Sequence, residues 1–320
     1  MNAAFRYLVI AAALCCCSAF AADFPTKPVT LVAPSVPGGA VDSSARLLGE
    51  RLSQKLGQRF VVENKPGANG AIGAAAVARA PGDGYTLLFT QNTPLVLAPH
   101  ISRALSYDVF SDFVPVIEVG RIQLVLVATP ALQATTLRGF IDAAKASPGK
   151  ISYASGGEGS DHHLAMELLR LTAGIQLHHV PYKAGPQGFA DLLGGHVPVM
   201  FIAPGTAARH VKEGKLVALG VASNTPIPSY PGVRPISAEL PGYEYESWFA
   251  LLAPKGTPAD VVGKLNAEFG AALVHPEVTP KMQSIGLVSR PTTPEDMARV
   301  LREDYEKIGK LAKAIHLQPR

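Results

Sequence analysis

One local design occurs twice in this chain: a short apolar run, a loop containing glycines, and then apolar residues at helical spacing. In the first copy Val29-Thr30-Leu31-Val32-Ala33 reads as a strand and residues 34–41 as the loop. A helix follows from about Asp42, with Ala45, Leu48, Leu52 and Leu56 on one face and Gly57 at its end. In the second copy residues 151–154 are the strand, Ser155-Gly156-Gly157-Glu158-Gly159-Ser160 the loop, and Leu164, Leu168 and Leu171 the buried stripe of the helix. Strands that alternate with helices belong to α/β folds with parallel sheets. Two well-separated copies predict two α/β lobes.

The remaining pattern fits that plan. Residues 60–63 and 85–89 read as strands, with Gly67, Gly70 and Gly73 leading into an alanine-rich helix between them and Pro81-Gly82-Asp83-Gly84 as a turn. The apolar run 113–128 divides into two strand-like halves around Gly120-Arg121, and a helix carrying Leu137, Phe140, Ile141 and Ala144 follows. Residues 197–202 and 216–222 read as further buried strands. Pro226, Pro228, Pro231, Pro235 and Pro241 mark an irregular connection, after which residues 245–253 form a returning strand. Thr257-Pro258 and Thr293-Pro294 each place a capping hydroxyl before a proline suited to a first helical turn. The expected division is a first lobe of residues 22–122 and 248–320 and a second of residues 123–247. Two crossings, near residues 119–125 and 245–251, join them as hinges.

The chain opens with Arg6, an apolar run over residues 7–20 and Ala19-Phe20-Ala21, the pattern of a secretory signal peptide over residues 1–21 that is cut near Ala21. A membrane anchor would need roughly 20 apolar residues, and Asp23, Pro25 and Lys27 interrupt the run sooner. Cys15, Cys16 and Cys17 all lie in this segment, so cleavage leaves no thiol for a disulfide, a nucleophile or a metal. A lipid-attachment cysteine fits poorly, because Cys15 follows Ala12-Ala13-Leu14. Removing Arg6 lowers the formal charge of +4 by one, and the remainder carries no Lys/Arg run of the kind that binds nucleic acid. The expected product is a periplasmic, monomeric protein whose partner is a small solute.

The chemistry lies in the two loops. Free N–H groups at a helix start, at the positive end of the helix dipole, bind anionic oxygens without a basic side chain. Glycine lets a ligand approach the backbone. Either loop alone reads as an ordinary βα turn. Two facing each other across a cleft would hold both ends of a dicarboxylate, or one carboxylate and a polar tail, beyond the carboxyl ends of the strands. Asp42 and Ser160 are expected first as helix caps and second as ligand contacts.

Catalytic readings fare worse. Glu158-Gly159-Ser160-Asp161-His162 is not a hydrolase elbow, Gly149-Lys150 is followed by Ile151 rather than Ser or Thr, and the glycines at 67, 70 and 73 do not have dinucleotide spacing. The pairs His162-His163 and His178-His179 lack the spacing and companions of a zinc site, so no metal and no cofactor is expected. His163 is expected to orient the loop or touch a ligand, His179 to lie in a strand, and Trp248 to pack the return crossing.

Several motifs resemble the periplasmic receptors of tripartite tricarboxylate transporters, the Bug family of solute-binding proteins. They are residues 24–32 (FPTKPVTLV), Pro37-Gly38-Gly39 with Asp42 and Ala45-Arg46, Val62-Glu63-Asn64-Lys65-Pro66-Gly67-Ala68, and Asp83-Gly84-Tyr85-Thr86-Leu87-Leu88. Further on come Tyr153-Ala154-Ser155 with Gly159-Ser160 and His163-Leu164, Val180-Pro181-Tyr182-Lys183, Asp191-Leu192-Leu193-Gly194-Gly195 and residues 253–258 (APKGTP). The resemblance runs in the family's order over residues 24–260. It implies a two-lobed periplasmic-binding-protein fold, a Venus flytrap of type II with two hinge crossings, that closes on a ligand and presents it to a membrane permease. It also implies a carboxylate held by the backbone at Pro37, Gly38 and Gly39, with Asp42 beside it. Ser155, Gly157, Ser160, His163, Lys183 and Ala184 then read the rest of the molecule, and Thr90, Gln91 and Asn92 are expected to face the cleft. This chain departs from the family at Ala184, often Gly, and at Ile202, where Met200-Phe201 is commonly followed by Asp. A missing carboxylate argues against a ligand ammonium group, since a buried cation needs a partner. The expectation is a di- or aromatic carboxylate without an amino group. A ligand sensor or an exported hydrolase or lyase would share the scaffold.

Overall fold

The computed structural model describes residues 24–317 except 225 and 228, so the proposed signal segment, its cysteines and Ala21 lie outside the described residues. The chain first forms β1 (Val29–Ala33), α1 (Ala40–Leu56), β2 (Phe60–Asn64), α2 (Ala71–Ala78) and β3 (Thr86–Gln91). Two one-turn helices follow, Thr93–Val96 and Ala98–Ile101, and then β4 (Phe113–Ile122). Next come β5 (Val125–Ala128), α3 (Leu137–Ala146), β6 (Ser152–Ser155), α4 (Asp161–Ala173), β7 (His178–Pro181), α5 (Gly185–Leu193), β8 (Val199–Ile202), α6 (Pro204–Lys212) and β9 (Val217–Val221). The chain ends with β10 (Ser247–Pro254), α7 (Ala259–Leu273), α8 (Thr279–Ser284), β11 (Leu287–Ser289) and α9 (Pro294–Ala314).

These strands make two sheets, ordered β11-β4-β10-β3-β1-β2 and β7-β6-β8-β5-β9. β1 runs parallel to β2 and β3, while β10 is antiparallel to both neighbours, β3 and β4. In the second sheet β6 is parallel to β7 and β8, and β5 is antiparallel to β8 and β9. The apolar runs read so clearly because the central strands are covered on both faces. Leu87 and Phe89 enter one apolar cluster and Leu88 the other, following the two-residue period of a strand. The cluster containing Leu88 and Trp248 continues into the second sheet through Tyr243 to Phe140, Tyr153 and Leu164.

Two expectations need correcting. The break in the run 113–128 falls at Gln123 and Leu124, not at Gly120-Arg121, which both lie inside β4. Gly120 is glycine because β11 presses on it: a Cβ there would stand 2.4 Å from the Val288 carbonyl oxygen. Thr257 does not cap α7, for its hydroxyl donates to the Pro254 carbonyl at 2.8 Å and Pro258 occupies the cap position without a side-chain bond. Thr293 does cap α9, accepting from the Asp296 N–H at 3.1 Å.

The passage from β4 to β5 and the return before β10 are fastened together. Ala222 N–H donates to Leu124 O at 2.8 Å and Tyr245 N–H to Ala222 O at 3.1 Å. Gln123 Nε2 donates to Ser223 Oγ at 3.1 Å. Arg121 binds Glu118 at 2.6 Å and Glu246 at 2.9 Å, joining β4 to the returning segment. Among the described residues no helix is long and apolar enough to cross a membrane.

Candidate functional site

The loop after β1 is built to present the start of α1. Gly38 takes φ +80°, a conformation that disfavours side chains, and Gly39 is the N-cap residue. Asp42 is therefore not the cap. It sits in the first helical turn, and its carboxylate accepts from Gly38 N–H at 2.9 Å, Asn64 Nδ2 at 2.9 Å and Arg46 Nε at 3.1 Å. Burial acts to raise its pKa, but the bonds from Arg46, Gly38 and Asn64 outweigh that and hold it below the ordinary carboxylate range. With its oxygens committed in this way, Asp42 serves to fix the loop. The N–H groups of the first turn, beginning with Ala40 and Val41, have no carbonyl one turn back within the helix.

Gly38, Ala40 and Ser43 line a cavity of about 390 Å³, with Ala203, Gly205 and Thr206 at the start of α6 on the facing side and Ser284, Ile285 and Gly286 closing it. Two helix starts, one from each sheet, thus border one space whose lining carries no charged side chain. Pro37 lies exposed on the rim of the loop.

The second loop is self-contained. Ser155 Oγ accepts from Gly157 N–H at 3.0 Å and meets His179 Nε2 at 2.6 Å. Ser160 caps α4 by accepting from His163 N–H at 3.3 Å and donates to Gly157 O at 2.7 Å. His163 Nδ1 accepts from Gly159 N–H at 3.2 Å, so His163 orients the loop. Its ring stacks on His179 at 4.3 Å, and His179 on Tyr153 at 4.8 Å. Burial, assisted by His163, pushes His179 down to about 4, and burial lowers His163 as well, so both rings are neutral at pH 7. The N–H group of Gly157, a residue expected to contact the ligand, is spent inside the loop, and so is that of Gly159. A Cβ on Gly159 would stand 2.8 Å from Leu97 Cδ2 and 3.8 Å from Asn69 Nδ2, which shows that this loop abuts the first sheet's side of the cleft.

Lys183 and Ala184 adjoin this loop, because Tyr182 N–H donates to Ser155 O at 3.1 Å. Ala184 has φ −156°, extended backbone that needs no glycine. Thr90 is buried with its hydroxyl on Gln91 O, and Gln91 Nε2 donates to Thr93 Oγ1 at 3.1 Å. Ile202 ends β8 at 5% exposure, packed in the apolar cluster with Val125 and Met200, immediately before the cavity-lining Ala203. Trp248 is buried, donates from Nε1 to Asp304 at 2.7 Å, and borders a separate cavity of about 620 Å³ together with Arg121, Glu246 and Asp304.

Residues 44–317 match the tripartite tricarboxylate transporter family receptor. The chain belongs to that family. BugT of Bordetella pertussis is 34% identical to this receptor over 287 residues, which cover 89% of this chain and 88% of that one. A protein of R. palustris solved with adipate is 33% identical, with a TM-score of 0.81 and coverage of 93% of this chain and 100% of its own. MatC from Rhodopseudomonas palustris, solved with bound malate, is 29% identical, with a TM-score of 0.75 and coverage of 90% and 99%. The family's members are periplasmic solute-binding proteins, and this receptor has their two-lobed α/β fold.

The receptor's sequence held one unused signal for the facing wall. Ala203-Pro204-Gly205-Thr206 follows a strand and puts proline at the first helical position, a helix start as plain as the two that were read. Ser284, Ile285 and Gly286 carried no such signal, since α8 and β11 are too short to show a period.

Proposed function

We propose that this receptor captures a small carboxylate without an ammonium group between its lobes, in the periplasm, and delivers it to the permease of a tripartite tricarboxylate transporter. The carrying observation is the cavity between the starts of α1 and α6, bordered by backbone donors and lined by no charged side chain. An ammonium group there would lack a carboxylate partner, whereas a ligand carboxylate would meet the positive end of α1. The adipate and malate held by the two related structures support a dicarboxylate, and the donors at Ala40 and Val41 are the groups assigned to one of its ends. The second wall, Ser155, Gly157, Ser160, His163, Lys183 and Ala184, shapes the other end.

In this reading residues 1–21 are removed on export, and residues 22–122 with 248–320 close as one body upon residues 123–247. Ligand contacts made across the cleft favour the closed state. Calorimetric titration against adipate, malate, benzoate, glutamate and aspartate tests the ligand class. Binding of a dicarboxylate or benzoate with no response to the amino acids is the expected result. Tight binding of glutamate or aspartate overturns it. Uptake of the identified acid by cells lacking this receptor tests delivery, and undiminished uptake would sink it.

A further inference from the structure

His162, the second residue of α4, holds a polar atom without a partner: its Nδ1 is shut off from solvent and makes no hydrogen bond among the described residues. The ring sits in a slot between two glycines. A Cβ on Gly185 would stand 2.9 Å from its Cε1, and a Cβ on Gly156 would stand 3.3 Å from its Nδ1. Gly156 belongs to the second-lobe loop and Gly185 follows Ala184 directly, so the imidazole is set where the two segments of the second wall meet. Neither glycine has a left-handed backbone that would demand glycine on its own account. Their smallness instead keeps the two backbones close to the ring.

The neighbouring polar groups of α4 are engaged elsewhere: Asp161 accepts from Tyr245 OH at 2.8 Å, and His163 is committed to Gly159 and His179. Glu158 and Lys183 flank the slot along the chain, yet burial is the cause that pushes His162 down to about 4. The ring is therefore neutral at pH 7, with an unfilled buried nitrogen. Such a group is costly until a partner arrives.

We propose that His162 is a specificity-determining residue of the cleft, whose imidazole receives the second carboxylate of a dicarboxylate ligand and takes up a proton as it does so. This inference rests on the carboxylate-binding reading above. A carboxylate brought against an imidazole favours its charged form, so the ring's affinity for protons rises on binding. The proton comes from solvent and stays on the imidazole while the ligand is bound. A monocarboxylate of similar length fills the cleft without supplying that second charge.

The test is calorimetric titration of the receptor with adipate, malate and hexanoate at pH 6, in two buffers of different ionisation enthalpy. The expected result is uptake of about half a proton or more with a dicarboxylate and none with hexanoate. His162→Asn, which keeps a hydrogen-bonding atom near the position of Nδ1 but does not titrate, should abolish the uptake and reduce the preference for dicarboxylate over hexanoate about tenfold or more. Dicarboxylate binding to the wild type with no proton uptake overturns the role of His162 and leaves the carboxylate reading standing. Binding of none of the three acids overturns both. The wild-type proton count decides the question even if the variant folds poorly.

Discussion

Replacing Asp42 with alanine separates its role in fixing the first loop from any role in touching the ligand. The carboxylate holds Asn64 Nδ2 at 2.9 Å, Gly38 N–H at 2.9 Å and Arg46 at 3.1 Å, linking β2, the loop and α1. A hydrogen bond to a charged group contributes about 1.5–3 kcal/mol, and the half-buried bond to Asn64 keeps most of that. Gly38 is exposed, so water replaces much of its bond, and the Arg46 side chain at 54% exposure adds under about 1 kcal/mol. The sum is about 2–4 kcal/mol at pH 7. This contribution is present above the ordinary aspartate pKa and is lost as pH falls through the lowered folded value. Urea unfolding should show a lower midpoint with an unchanged slope. Ligand affinity should fall about tenfold, because the loop must then be ordered at the moment of binding. Asp42→Asn should lie between, since one side of its amide turns a donor toward donors. A stability loss below about 0.5 kcal/mol for the alanine variant, with affinity unchanged, would refute the loop-fixing role.

Gly159→Ala adds a Cβ 2.8 Å from Leu97 Cδ2 at a residue with φ +77°, so titration should show affinity reduced about tenfold or more. Leu97→Val in the same chain should restore part of it, and no rescue would show that only backbone strain was at work. His179 has a folded pKa of about 4 against about 6.5 unfolded, so its contribution to stability falls as pH drops from about 6.5 and levels off below about 4. Thermal unfolding across that window should show a shallower dependence in His179→Gln, and an unchanged slope would contradict the assignment. Trp248→Phe leaves the half-buried Asp304 carboxyl without its 2.7 Å donor and should cost about 1–2 kcal/mol in chemical denaturation. A neutral result would show that Asn92, 3.5 Å from Asp304, suffices.

Much of the architecture was written locally. β1 and α1 could be read because a β-branched run, a glycine loop, a one-sided leucine stripe and Gly57 follow one another without interruption. The division of residues 113–128 could not, because both strands are buried and nothing in their composition marks Gln123 as the turning point. Thr257 and Thr293 show the same limit: the two Thr-Pro pairs are identical in sequence, and only the nearby Pro254 carbonyl diverts one hydroxyl from capping. The first loop was recognisable as a helix start, but the use of Asp42 depends on Asn64 from another strand. The engagement of Gly157 and Gly159 by Ser155 and His163 likewise depends on the folded loop, so the glycines alone overstated how many donors remain for a ligand.

β10 lies between β3 and β4 and is buried along its whole length, although it is synthesised after every strand of the second sheet. The second sheet comes from one uninterrupted stretch and can pair as soon as that stretch is available. The first sheet has no such option. Until residue 254 has left the ribosome, β3 and β4 have no strand to join them, and both apolar clusters of the first sheet lack the residues that β10 supplies. A polypeptide ordered in this way assembles its second sheet before its first, so the insertion of β10 is the late event that joins the two ends of the chain into one lobe.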